Sequence, residues 1–345
     1  MGKTYVFIPP IRKTTGGVAV LLQLAGILRS GGVEAILALR EAGRAPDGAG
    51  ELPSVAFDQA NPGPEDVWLV PEGWPNALAP GLSGKARCMV YCQNWAYFFN
   101  GLPENVSWKN LPVSFIAVSH PVSLFIETAL GTAPPILRPG IDLGHFHPPM
   151  AKPTASPVRV AYMPRKNKAL AEQIKAMTES RRSVTGVTAE WVPIEHLDRD
   201  GVAETLRSCH IFLATGYPEG FSLPPLEAMA CGCLPVGFTG FGGWDYMRQA
   251  RTGDPEPSFP LRSVPWGGNG MYAHDGDVLA AALALDEALR WWAKGGRRLE
   301  AALAACRETV SHFGLDRQRE AVLALWKRVL GENRTQTACG ANGPA

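Results

Sequence analysis

Residues 215–243 read TGYPEGFSLPPLEAMACGCLPVGFTGFGG, and this stretch decides the fold. The apolar run 210–214 before it predicts a strand that feeds a Gly/Pro-rich turn. Pro224 and Pro225 suit a helix start, because the first turn cannot pair its N–H groups and proline has none to lose. Gly232 ends a short helix, and residues 234–238 resume as strand. Strand, turn, helix and strand in that order build a parallel sheet. The backbone of Gly220, Phe221, Ser222 and Leu223 leads into the helix N-terminus, whose N–H groups and positive dipole end suit a phosphate or a developing anion. Glu219 precedes that turn and Glu227 falls in the first helical turn or so, so two carboxylates and an anion-binding backbone are expected to face one cleft.

The same alternation extends outward in both directions. Strands are expected at 5–8, 33–39, 66–70, 87–91 and 115–119, with a helix at 18–29 after a loop carrying Thr14, Thr15, Gly16 and Gly17. Residues 147–157 hold four prolines and no periodicity, which predicts an interdomain linker. A second set follows: strands 158–162, 189–192 and 210–214, and helices 168–179 and 200–208. A long polar loop at 249–269 precedes helices at 277–294, 297–312 and 315–330. The 345 residues therefore divide into an α/β domain at 1–150, a second at 151–314, a terminal helix at 315–330 and a frayed tail at 331–345, in line with roughly 100–200 residues per domain. In open parallel sheets ligands gather at the carboxyl ends of the strands.

Composition narrows the function classes. Thirty-three Lys and Arg against thirty-two Asp and Glu give a net charge of +1, which supplies no broad basic surface for nucleic acid. Seven cysteines without framework spacing read as reduced thiols. The N-terminus lacks a signal-peptide pattern, Val6 misfits myristoylation of Gly2, and no apolar window reaches the roughly 20 residues of a membrane span. A cytoplasmic protein is expected, with peripheral contact at the inner membrane face left open.

Glu219-Gly-Phe-Ser-Leu-Pro-Pro-Leu-Glu227 and its flanks resemble the E-x7-E motif of the group 1 family of retaining GT-B glycosyltransferases. FIAVSHPVSLFIETALGTAPPILRPGIDLGHF at 115–146 is similar to that family's end-of-first-domain pattern, and the resemblance spans about residues 5–330. It implies two Rossmann-like domains facing a central cleft, the first on the acceptor side and the second binding the nucleotide-sugar, with the C-terminal helix returning to the first. It also implies a nucleotide-diphosphate-sugar donor, no cofactor and no metal. The acceptor implied is a glycan, a lipid-linked sugar or a small molecule. On that resemblance Glu227 takes the ribose hydroxyls, Glu219 the donor sugar, and the amides of 221–223 lie against sugar or phosphate. Arg165 and a partner lysine, Lys168 or Lys166, stabilise the departing diphosphate. Gly16 and Gly17 form a first-domain loop close to donor phosphate and acceptor. Where the family often has histidine, this chain has Cys92-Gln93-Asn94-Trp95, text similar to rhamnosyltransferase-like branches. Gln93, Asn94, Trp95 and His120 are the candidates on the acceptor or sugar side.

Several motifs have simpler readings. Asp198-Arg-Asp200 and Asp275-Gly-Asp277 spell DxD but follow no apolar strand, so turn and N-cap roles are expected. Cys231-x-Cys233 lacks a second ligand pair for zinc. The aromatic run Trp95, Tyr97, Phe98 and Phe99 is expected to be partly core rather than an acceptor-stacking platform or lipid-facing edge. Two other readings stand beside transfer: a GT-B relative that hydrolyses or epimerises a nucleotide-sugar, and a silent glycan- or nucleotide-binding module.

Overall fold

The structure is a computed structural model describing residues 2–10, 16–41 and 45–340. Its contacts divide the chain into two units. The first takes residues up to Val118, then Val122–Pro139, and the chain from Asp316; the second takes Ser119–Pro121 and Gly140–Leu315.

The first unit is built on β1 (Thr4–Ile8), α1 (Gly16–Ser30), β2 (Ala35–Leu39), β3 (Ser54–Ala56), β4 (Val67–Pro71), α2 (Ala79–Ser83), β5 (Arg87–Cys92), β6 (Val113–Ala117) and most of α3 (His120–Leu130). Its six strands lie in the order β3-β2-β1-β4-β5-β6, all pairs parallel, with Thr4 opposite both Ala35 and Val67. β1 and β4 are buried along their whole length, as strands covered on both faces must be, so they read as continuous apolar runs without alternation. Gly16 and Gly17 do not belong to a loop: they form the first turn of α1. A helix start tolerates glycine because those N–H groups are unpaired in any case. Thr14 and Thr15 lie outside the described residues.

The second unit contains β7 (Val158–Tyr162), α4 (Lys168–Ser180), α5 (Arg182–Thr185), β8 (Ala189–Pro193), α6 (Arg199–Ser208), β9 (Ile211–Ala214), α7 (Leu223–Ala230), β10 (Leu234–Phe238), β11 (Met271–Ala273), α8 (Val278–Lys294) and α9 (Arg297–Ser311). Its five parallel strands run β11-β10-β9-β7-β8. Residues 147–157 are not a free linker. Lys152 donates from Nζ to the carbonyls of Leu206 (3.0 Å), Arg207 and Cys209, and the His210 ring meets the Pro153 carbonyl at 2.9 Å. Ile141 also bridges to Gly314, so the change of unit falls at Pro139/Gly140 rather than at 150. The proline density that suggested a linker reflects chain that is pinned through side chains and carbonyls.

The final helix, α10 (Leu315–Gly340), groups from Asp316 with the first unit. Trp326 is fully buried there and its Nε1 donates to Thr4 Oγ1 at 3.0 Å, while Arg87 donates to the Val329 carbonyl. The expected tail from Gly331 is corrected as far as Gly340, because one glycine costs a helix only about 1 kcal/mol and does not end it. Residues 341–345 lie outside the described residues.

Candidate active site

In the second sheet β7 lies between β8 and β9, so the chain leaves it toward one side and later returns on the other. Such a switch of direction opens a crevice at the strand ends. The turn after β7 carries Arg165 and Lys166, and the turn after β9 carries Glu219. Lys166 Nζ pairs with Glu219 Oε1 across this opening. Asn167 fixes the arrangement: its Nδ2 donates to the carbonyls of Thr215 (2.8 Å) and Tyr217 (3.1 Å), and Thr215 Oγ1 donates to the Lys166 carbonyl (3.2 Å). Burial first, and the Arg165 charge second, push the Lys166 ammonium down to about 8. Lys168, the other candidate lysine, is exposed at the first position of α4. Arg165 is exposed beside it.

The turn holding Glu219 is braced from behind. Glu219 N–H donates to the Gly240 carbonyl and Gly242 N–H to the Glu219 carbonyl, both at 2.9 Å, while Asp275 Oδ1 accepts from Gly240 N–H at 2.8 Å. Gly240 has φ +68°, and a Cβ there would lie 2.7 Å from Glu219 Cβ, so only glycine lets the two turns meet. Ser119 Oγ donates to the Gly220 carbonyl (2.6 Å), and His120 N–H to Asp245 Oδ1 (2.8 Å). His120 thus enters the support of this turn through its backbone. The Phe221 side chain is core, packed on Tyr246 and Phe313, and the Ser222 carbonyl accepts from Tyr246 OH.

α7 begins at Leu223, so Glu227 lies in its second turn rather than its first. Burial lifts Glu227 to about 7, and the Arg199 charge works against that rise. Arg199 also reaches Asp142 at 3.5 Å and stacks over Phe146 at 5.5 Å. Glu219 thus has Lys166 as its ion-pair partner. The sequence reading missed Arg199, which sits inside a DxD string and gave no separate signal. Asp198 and Asp277 are helix N-caps, accepting from Gly201 N–H (2.8 Å) and Ala280 N–H (2.9 Å).

The first sheet has its own switch point, between β1 and β4. Gly17 and Gln93 line a cavity there with Glu72, and Gln93 N–H donates to Glu72 Oε2 at 2.8 Å. Gly16 is exposed at the start of α1. Asn94 and Trp95 belong elsewhere: Asn94 Oδ1 caps the following turn through Ala96 N–H (3.1 Å), and Trp95 packs edge-on against Phe125. Phe98 is fully buried among Trp108, Phe115 and Phe125. Glu72 was missed because PEGWP reads only as a turn.

The family described as Glycosyl transferases group 1 matches residues 165–253, which span the Arg165–Lys166 turn, Glu219 and Glu227. An alpha-1,6-glucosyltransferase from Actinobacillus pleuropneumoniae serotype 7 is 27% identical over 241 residues, covering 67% of this chain and 71% of that protein. A glycosyltransferase from Rickettsia africae superposes with a TM-score of 0.68 at 12% identity, covering 95% of this chain and 99% of that one. Sucrose-phosphate synthase from Thermosynechococcus elongatus gives 0.65 at 13% identity, covering 96% and 100%. The fold is that of GT-B glycosyltransferases. The chain is a glycosyltransferase, and residues 165–253 of its second unit match the group 1 family.

Proposed function

We propose that this enzyme is a retaining transferase moving a sugar from a nucleotide-diphosphate donor to a glycan, lipid-linked or small-molecule acceptor, with no metal in the step. The observation that carries this reading is the Lys166–Glu219 pair at the β7/β9 strand ends, with Arg165 beside it and the α7 N-terminus following. When the bond from the anomeric carbon to diphosphate breaks, negative charge grows on the leaving oxygens. Fixed cations stabilise that charge more in the transition state than in the bound donor. Arg165 and Lys166 are assigned this role, Glu219 the hydroxyls of the donor sugar and Glu227 those of the ribose. Amides of 221–223 at the opening of α7 complete the anion site. The acceptor oxygen bonds to the anomeric carbon on the face the diphosphate leaves, and a diphosphate oxygen takes its proton. Of the four aspartates in the two DxD strings, Asp198 and Asp277 are helix N-caps and Asp275 accepts from Gly240 N–H.

The relative from Actinobacillus is named for glucosyl transfer, whereas Gln93-Asn94-Trp95 resembles rhamnosyltransferase-like text, so glucose and a 6-deoxyhexose lead the donor candidates. The compartment proposed is the cytoplasm, including the inner membrane face. Among the described residues no helix is long and apolar enough to cross a membrane.

A thermal-shift panel of UDP-, GDP-, ADP- and dTDP-sugars identifies the donor, since a ligand bound only by the native state raises its apparent stability. With that donor, R165A and K166A are expected to lower kcat by about 100-fold with a smaller change in donor affinity. E227A is expected to weaken nucleotide binding instead. Turnover should survive EDTA, and NMR of the product should show the anomeric configuration of the donor. Inverted product, or free sugar released at the same rate with and without acceptor, overturns the reading.

A further inference from the structure

The loop between β10 and β11 has no part in the site described above. Residues 250–268 hold four prolines and form neither helix nor strand. A loop of that length in a compact unit is uncommon unless it is disordered or has a task. This one is tied down. Its ends meet where Gln249 bridges to Gly270, and Ala250 N–H donates to the Gly270 carbonyl at 2.8 Å. Between them Arg262 Nε donates to the Asp245 carbonyl (2.8 Å) and Trp266 Nε1 to the Tyr246 carbonyl (2.9 Å). Both acceptors lie on the chain that continues from the Glu219 turn through Gly242, so the loop folds back on the segment it leaves. At its middle, Phe259 meets the Phe241 ring edge-on, with centroids 5.3 Å apart and planes at 61°.

Phe241 is a backbone outlier. Its φ of +70° and ψ of −58° are those of the rare, strained form of γ-turn, which a bulky side chain avoids. Such strain persists only where the surroundings over-determine it, and it gathers at functional sites. Here the residues on both sides are bonded to Glu219: the Gly240 carbonyl accepts from Glu219 N–H, and Gly242 N–H donates to the Glu219 carbonyl. Phe241 is thus the bridge partner of Glu219, and it cannot relax without moving the Glu219 backbone. The Phe241 and Phe259 rings are half-buried, so the loop braces the strained residue through an aromatic contact at the surface of the unit.

We infer that residues 250–268 are a strap that holds Phe241 in its strained turn through Phe259, and that Phe241 is thereby a positioning residue for the Glu219 carboxylate and the donor sugar it grips. The inference rests on the proposed function in one respect, the assignment of Glu219 to the sugar hydroxyls. Phe241 and Phe259 touch no reacting atom in this account. Their effect is on where Glu219 stands, and a displacement of about 1 Å at such a group is enough to lose most of its contribution. The ribose and diphosphate contacts assigned to Glu227, Arg165 and the α7 amides do not pass through this turn, so the strap acts on the sugar half of the donor alone.

Titration calorimetry on the full chain tests this with two probes, the nucleotide-sugar identified by thermal shift and the matching nucleoside diphosphate. F259A and F241A should each weaken the nucleotide-sugar about ten-fold, the loss expected for one aromatic pair, and leave the nucleoside diphosphate within about two-fold. F259Y keeps the ring and should match wild type; F259L, which loses it, replaces F259A if that variant does not fold. The double variant F241A/F259A should bind the nucleotide-sugar no more weakly than F241A, because both changes break one contact. Hydrogen exchange read by mass spectrometry should quicken about ten-fold at residues 215–222 in F259A and stay unchanged at β7. Equal weakening of both ligands, additive losses in the double variant, or unchanged exchange at 215–222 overturns the strap. If wild type binds no nucleotide-sugar the donor reading fails, and exchange alone decides: quickening at 215–222 supports the hold of the strap on Glu219, and no change rejects it.

Discussion

Glu227 and Glu72 hold their protons to about pH 7 because burial penalises the charged carboxylate more than nearby charges and backbone donors relieve it. An unfolded glutamate loses its proton near 4.5. Between those values the folded chain binds more protons than the unfolded one, so stability falls as pH rises from about 4.5 to 7. At 1.36 kcal/mol per pH unit, and discounting for partial exposure, each group contributes about 1–3 kcal/mol to that fall. Urea unfolding at pH 5 and pH 8 checks this: E227Q should lose less stability than wild type across the window, by about that amount. Equal losses would place the retained proton on another residue. A ribose hydroxyl facing Glu227 bonds to either protonation state, because a protonated carboxyl keeps an acceptor oxygen and gains a donor.

Helix ends and turns carry the next level of the design. Asp198 and Asp277 cap α6 and α8, so D198A and D277A should each cost about 1 kcal/mol by denaturation while turnover persists. A folded D277A with no turnover would return that aspartate to the chemistry. The two turns at the β9 and β10 ends are a tighter constraint. A Cβ on Gly242 would lie 1.9 Å from the Gly220 carbonyl oxygen, with backbone on both sides and no flexible side chain to yield. G242A should therefore destabilise by about 1–3 kcal/mol, as overpacking does, and should shrink the donor-induced thermal shift by moving Glu219. A variant with full stability and a full shift would show that the turn tolerates separation.

Taken whole, the molecule repeats one device. Each unit is a parallel sheet whose strand order reverses once: Lys166 and Glu219 meet at the β7/β9 reversal, and Glu72 and Gln93 at the β1/β4 reversal. The chain completes its first unit only at the end, through α10, where Trp326 is buried and hydrogen-bonded to Thr4 and Leu323 packs onto Gly31. W326A should cost about 3–5 kcal/mol in chemical denaturation, the range for emptying a large aromatic site. A cost below about 1 kcal/mol would make α10 a loose attachment rather than part of the core.

The order of strands and helices was readable from hydrophobic runs because buried parallel strands and amphipathic helices leave local periods in the chain. The short strands β3 and β11 and the helices α2 and α3 were not, since three- to eleven-residue segments among Gly and Pro carry too little pattern. Glu219, Glu227 and Arg165 stood out because they fall within one contiguous, densely patterned stretch or at the end of one strand. The Lys166–Glu219 pair and the Glu72–Gln93 contact depended on which strands become neighbours. Local sequence sets dihedral preference and burial period, and so determined the elements. Strand order is set by long-range pairing, and it alone decided which strand ends share a crevice and which charges meet there.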